Sequence, residues 1–168
     1  PDRREKSAYT IDYADLYRKG YRGVIFDIDN TLVPHGAPAT KEAAAFFASL
    51  RETGFSTCLL SNNQKPRVAP FADAVGSIYI ENAHKPSVKN YQEACRRMGI
   101  KEEQAVFVGD QLFTDVYGAK RTGLYNILTE PINPKEEIQI VLKRYLEHIV
   151  LFFYERDLAR GRITKKNS

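Results

Sequence analysis

Seven side chains in this 168-residue chain have the type and spacing to do chemistry together: Asp27, Asp29, Ser61, Asn62, Lys85, Asp110 and Asp115. Asp27 and Asp29 close the run Arg22-Gly-Val-Ile-Phe-Asp-Ile-Asp29, followed by Asn30-Thr31-Leu32. Side chains on a strand alternate, so the two carboxylates leave on one side wherever the strand continues that far. Two carboxylates held together are costly unless positive charge lies between them. A hard divalent cation such as Mg²⁺, which prefers oxygen ligands, is the natural candidate.

The elements that must position these groups follow from the apolar pattern. Short runs rich in branched and aromatic residues predict five strands, near residues 22–28, 55–60, 77–80, 105–108 and 125–128. Helical spacing predicts helices near 11–19, 41–52, 67–74, 87–98 and 114–122. Thr40 and Ser87 are candidate caps, and Gly20, Gly54, Gly99 and Gly123 are stops. Strands alternating with helices predict an α/β fold, a Rossmann-like parallel five-stranded sheet with helices on both faces. Ligands of such sheets bind beyond the carboxyl ends of the strands. The first, second and fourth strands run into Asp27 and Asp29, Ser61 and Asn62, and Asp110. The loop after the third strand carries Lys85, and Asp115 opens the helix after Asp110, so all these groups converge on one edge.

Each group has a plainer reading when taken alone. The Asp27–Asp29 pair fits a strand-end turn, Ser61 and Asp115 fit helix caps, and Lys85 fits a solvated surface lysine. Thr31 reads as a structural hydrogen-bonder in its loop and Gly109 as a site of close backbone approach. The histidines His35, His84 and His148 lack metal-ligand spacing, leaving His35 and His84 as residues of a substrate rim.

Taken together, the segments Asp27-Ile-Asp29-Asn-Thr31, Leu60-Ser61-Asn62-Asn63, His84-Lys85-Pro86 and Gly109-Asp110-Gln-Leu-Phe-Thr-Asp115 resemble, in order, the four motifs of the haloacid dehalogenase superfamily of phosphohydrolases. The likeness covers the chain to about residue 130, and within the superfamily it resembles the small YqeG-type phosphatases of subfamily IIIA. The resemblance implies that Asp27 is the nucleophile and Asp29 the general acid and base. It implies Mg²⁺ as cofactor, held by Asp27, the backbone carbonyl of Asp29, and Asp110, with Asp115 orienting or joining that set. It implies that Ser61 and Lys85, with Asn62, hold the phosphoryl oxygens of a phosphorylated substrate. An Asp at position 29, where cation pumps of the superfamily have Thr, implies rapid turnover of the phosphoenzyme. Only a loop and one helix separate Asp27 from Ser61, and only a helix and a strand separate Ser61 from Lys85, so no cap domain is expected. Organellar relatives of this group dephosphorylate phosphatidylglycerophosphate, which implies a lipid phosphate. The alternatives are the same chemistry on a small soluble phosphate or a phosphoprotein, and a non-catalytic interaction protein on the same scaffold.

Composition sets the remaining bounds. The sequence divides into an N-terminal lead-in with a short helix (1–20), a catalytic core (21–134), and a C-terminal helix with a basic tail (135–168). A helix over about 136–154 would present Ile138, Leu142, Tyr145, Ile149 and Phe152 on one face. That face has three readings: packing on the sheet, a homodimer contact, or a peripheral membrane contact favoured by Arg156, Arg160, Arg162, Lys165 and Lys166. Cys58 and Cys95 fall in apparent core elements and read as buried thiols, so a cytoplasmic setting is expected, with contact at the membrane surface as the variant. No run approaches the roughly 18 apolar residues of a membrane span. The net charge of +4 permits an anionic partner without marking a nucleic-acid surface, and no nucleic-acid partner is expected. The chain opens at Pro1 rather than Met, which leaves an upstream segment open.

Overall fold

The computed structural model describes residues 1–134 together with Arg156. Pro1–Asn133 form one compact unit, and the chain from Pro134 belongs to a second. The expected C-terminal helix and its three readings lie outside the described residues.

Six parallel strands form the sheet: β1 (Arg3–Glu5), β2 (Gly23–Phe26), β3 (Ser56–Leu60), β4 (Ile78–Ile80), β5 (Ala105–Gly109) and β6 (Tyr125–Thr129), in the order β1-β6-β5-β2-β3-β4. The sequence led us to expect five, with residues 1–20 as a lead-in carrying only a short helix. Instead Arg3–Glu5 pair with Ile127–Thr129 along the edge of β6. Three consecutive charged residues carry no apolar pattern, and it is the backbone that joins this strand to the sheet. Buried Ala8, Ile11, Tyr13 and Leu16 anchor the segment that follows, and the Tyr13 hydroxyl donates to the Ala8 carbonyl at 2.9 Å.

Helices α1 (Tyr13–Arg18), α2 (Lys41–Thr53), α3 (Lys65–Val75), α4 (Val88–Met98) and α5 (Tyr117–Thr122) cover the two faces. The alternation along β2 assigns the layers. Val24 and Phe26 pack with Leu16 of α1, Phe47 of α2 and Phe71 of α3, whereas Ile25 packs with Tyr91 of α4 and Ala119 of α5. Every residue of β2 is buried, as a central strand covered on both faces requires. Cys58 and Cys95 sit in the second layer, and burial pushes both thiols up to about 12. Asp12 caps α1 and Thr40 caps α2, its hydroxyl accepting from the Ala43 N–H at 3.0 Å. Gly54 then ends α2 at φ 104°. Ser87 occupies the N-cap of α4 without a side-chain cap bond, unlike the expectation from sequence.

The chain leaves β2 for β3 on one side and has β5 on the other, so the strand order reverses at β2. Phe26 lies beside Val108 in register, which brings Asp27 and the Gly109–Asp110 pair to adjacent strand ends. That crevice is where a parallel sheet of this kind binds its ligands. Between β2 and β3 lie one loop and α2, and between β3 and β4 only α3, so no cap is inserted at either place among the described residues.

Candidate active site

At this crevice Asp27, Lys85, Asp110 and Asp115 come together, all buried. The Asp27 N–H donates to the Val108 carbonyl at 3.0 Å, tying the residue to β5 just past the end of β2. The Lys85 ammonium donates to Asp27 Oδ1 at 2.6 Å and to Asp115 Oδ1 at 2.7 Å. Thr31 donates its hydroxyl to Asp110 Oδ1 at 2.9 Å, the structural role its sequence position suggested. Oxygens of Asp27, Asp110 and Asp115 all lie within 4.8 Å of one another. Three carboxylates around one ammonium leave a buried excess of negative charge. A divalent cation fits this all-oxygen donor set in charge and chemistry.

Burial pushes the Asp27 carboxyl up to about 7; Lys85 opposes the shift, and the charges of Asp115 and Asp29 add to it. Lys85 is shifted the other way from a buried lysine's usual course. Asp115 and Asp27 hold its ammonium charged against desolvation.

Asp115 owes its place to unusual backbone. Leu112–Val116 form a π-helical turn before α5, where the sequence suggested an ordinary helix start near Thr114. Asp115 Oδ2 accepts from the Gln111 N–H at 3.2 Å, so this carboxylate both caps its own turn and faces the site. A Cβ on Gly109 would lie 2.4 Å from Asp115 Oδ2, so the glycine is what lets the carboxylate approach β5. Tyr91 of α4 braces the turn from below, its hydroxyl donating to the Thr114 carbonyl at 2.9 Å.

Ser61 and Asn62 end β3 as expected, but their polar atoms are engaged within the protein. Ser61 Oγ accepts from the Asn63 N–H at 3.1 Å. Asn62 Oδ1 accepts from the Lys85 N–H at 2.7 Å, and its amide nitrogen lies 3.4 Å from the Lys85 carbonyl. Asn62 therefore holds the backbone of Lys85, which follows His84 at φ 49°. This contact makes it a positioning residue for the lysine.

Asp29 lies just beyond the end of β2. β2 ends at Phe26, and the chain turns through Asn30 at φ 63° with the Leu32 N–H donating to the Ile28 carbonyl at 2.9 Å. The Asp29 carboxylate is not one of the three grouped carboxylates, although its charge acts on Asp27. It accepts from the Gly36 N–H at 2.8 Å, Asn63 Nδ2 at 2.6 Å and Arg67 Nη2 at 2.8 Å. His35 Nδ1 stands 4.0 Å from it at the exposed rim. Arg67 and Asn63 are site residues that sequence reasoning missed. Arg67 had no signal of its own, whereas the amide after Ser61-Asn62 could have suggested Asn63. Leu112 and Phe113 were also overlooked; they are 46% and 81% exposed on the same turn that carries Asp115.

A family model for haloacid dehalogenase-like hydrolases matches residues 36–123. The chain is 34% identical over 157 residues to the probable phosphatase YqeG of Bacillus subtilis, covering 93% of this chain and 91% of that protein. This chain is a haloacid dehalogenase-like hydrolase. It is also 29% identical over 161 residues to phosphatidylglycerophosphate phosphatase 1, chloroplastic/mitochondrial, of Arabidopsis thaliana, covering 90% of this chain but only 46% of that longer protein. A crystal structure of an uncharacterized protein from Corynebacterium glutamicum shares the fold, at TM-score 0.55 and 22% identity over 73% of this chain and 93% of that one. Within the hydrolase family, the phosphatase-named relatives make this chain a phosphatase acting on a phosphorylated substrate. No helix among the described residues is long and apolar enough to cross a membrane.

Proposed function

We propose that this phosphatase is a Mg²⁺-dependent phosphomonoesterase that works through an aspartyl-phosphate on Asp27 and acts on a lipid phosphate of the phosphatidylglycerophosphate kind. The observation carrying the chemistry is the pairing of Asp27 with Lys85 at 2.6 Å, inside a group of carboxylates at the strand ends. Asp27, Asp110, Asp115 and the Asp29 carbonyl would hold Mg²⁺, which supplies Lewis-acid charge at the phosphoryl oxygens.

The protein's own groups divide the remaining work. A carboxylate oxygen of Asp27 forms a bond to phosphorus as the bond from phosphorus to the leaving oxygen breaks. Asp29 delivers a proton to that oxygen, releasing an alcohol. It then takes a proton from water, whose oxygen bonds to phosphorus while the phosphorus–Asp27 bond breaks, regenerating the carboxylate and freeing phosphate. Lys85 turns its ammonium from Asp115 and Asp27 to the phosphoryl oxygens, balancing their charge in the transition state. Ser61 lies at the same edge as a further donor to those oxygens, and Asn62 fixes Lys85.

Two features support a lipid. The Arabidopsis relative is named for phosphatidylglycerophosphate. Leu112 and Phe113 border the site as exposed apolar side chains, where a substrate's acyl region or a membrane surface would lie, and among the described residues no cap is inserted between β2 and β3 or between β3 and β4. The test is phosphate release from a panel of phosphatidylglycerophosphate in mixed micelles, a phosphopeptide and an aryl phosphate, with Mg²⁺ and with EDTA. The highest kcat/KM on the lipid, abolished by EDTA, is the expected result. Equal or better rates on the soluble phosphates overturn the lipid assignment, and EDTA-resistant release overturns the metal.

A further inference from the structure

The sheet edge continues past Asp110 into a cavity of about 500 Å³ at the ends of β5, β6 and β1. Asp110 forms one wall, so this cavity adjoins the carboxylate group directly. Arg4, Lys6 and Thr129 also line it. Thr129 is 3% exposed, and its hydroxyl has no hydrogen-bond partner among the described residues. A buried hydroxyl left this way costs free energy unless something outside the protein completes it.

The lining carries three acids, Glu5, Asp110 and Glu130, and two cations, Arg4 and Lys6. Of the acids, Glu5 is held by Arg3, whose Nε donates to Oε1 at 2.6 Å, and Asp110 accepts from Thr31 and shares in the carboxylate group that the proposed cation would neutralise. Glu130 remains against the two cations Arg4 and Lys6, neither of which forms an ion pair among the described residues. Both cations come from the edge strand or its end, so the added strand β1 is what brings positive charge to this side of the site.

We infer that this cavity is a leaving-group subsite that binds a second acidic group of the substrate, of the phosphate or phosphodiester class, through Arg4, Lys6 and the Thr129 hydroxyl. The inference rests on the phosphatase reading and deepens it. The phosphomonoester lies at Asp27 and Lys85, and the rest of the substrate runs over Asp110 towards β6 and β1. A second acidic group can belong to a lipid headgroup or to a free bisphosphate, and the subsite recognises what the two share.

Three substrates separate the cases: glycerol 1,3-bisphosphate, a short-chain phosphatidylglycerophosphate, and an aryl phosphate with no second acid. The variants are Arg4→Ala/Lys6→Ala, which changes exposed side chains only, and Thr129→Val, which keeps the buried shape. The wild type is expected to show a lower KM for both doubly acidic substrates than for the aryl phosphate. The double variant should raise those two KM values about tenfold each, from the loss of charge-assisted hydrogen bonds, and leave kcat and the aryl phosphate unchanged. Thr129→Val should raise them by a smaller factor. A selective rise with the bisphosphate, in an enzyme that does not turn over the lipid, keeps the subsite and removes the lipid assignment. Equal losses on all three substrates, no loss on any, or a wild type without preference for a second acidic group overturn the subsite.

Discussion

Arg67 stands on α3, yet its guanidinium reaches Asp29 beyond the end of β2 and shares it with Asn63 and the Gly36 N–H. The three donors fix the rotamer of the group proposed to move the proton. Arg67→Ala should lower kcat on an aryl phosphate about tenfold with KM little changed, because positioning is felt in the transition state. Asn63→Ala should act similarly, and the pair should lose less than the product of the single effects, since both hold one carboxylate. Steady-state kinetics of the four proteins checks this; a rise in KM at constant kcat would place Arg67 on the substrate instead. Asp27 and Asp110 were legible because each follows a strand whose apolar pattern is plain, whereas Lys85 and Asp115, readable alone as a surface lysine and a helix cap, were reached through the resemblance of the four motifs together. Sequence alone did not reach Arg67, whose partner is far along the chain and whose neighbours, Pro66 and Pro70, obscure the helix that presents it. The sequence also did not show that Asp29 serves a donor set of its own, from Gly36, Asn63 and Arg67, outside the three-carboxylate group.

The π-helical turn over Leu112–Val116 and the strand end at Gly109 together place Asp115. Gly109→Ala would set a methyl group 2.4 Å from Asp115 Oδ2 and 2.8 Å from Phe107 Cε1, where neither the strand nor the buried ring has room to give. The expected cost is about 1–3 kcal/mol of stability, as for other overpacked sites. Urea unfolding reads it, and calorimetry should show weaker Mg²⁺ binding; unchanged stability and affinity would mean that Asp115 has freedom to move. The π turn was illegible because Leu112 and Phe113 break the helical apolar pattern by facing out. β1 was illegible for the opposite reason: an edge strand held by backbone pairing needs no apolar side chains, and Arg3-Arg4-Glu5 offers none. The five other strands were readable because the sheet is covered on both faces, which forces continuous apolar runs.

Across the whole molecule, the concentrated negative charge couples folding to protons and metal. The Asp27 carboxyl rises from 3.8 to about 7, so between these values the folded chain binds more protons than the unfolded one. Its contribution to stability therefore falls as pH rises through that window, the reverse of an ordinary salt-bridged carboxylate. The proposed Mg²⁺ would bind the ionised form and should reverse the trend, raising Tm far more above about pH 7 than near about pH 5. Thermal unfolding with Mg²⁺ or EDTA across this range checks it, and a Mg²⁺ effect independent of pH would contradict it. The central question is whether phosphate passes through Asp27. Rapid acid quench of the wild type with a substrate labelled in its phosphoryl group should trap label on the protein, and Asp27→Asn should trap none and release no phosphate. Wild-type turnover with no trapped label at any quench time, or label retained by the Asn variant, would contradict the nucleophile at the centre of this mechanism.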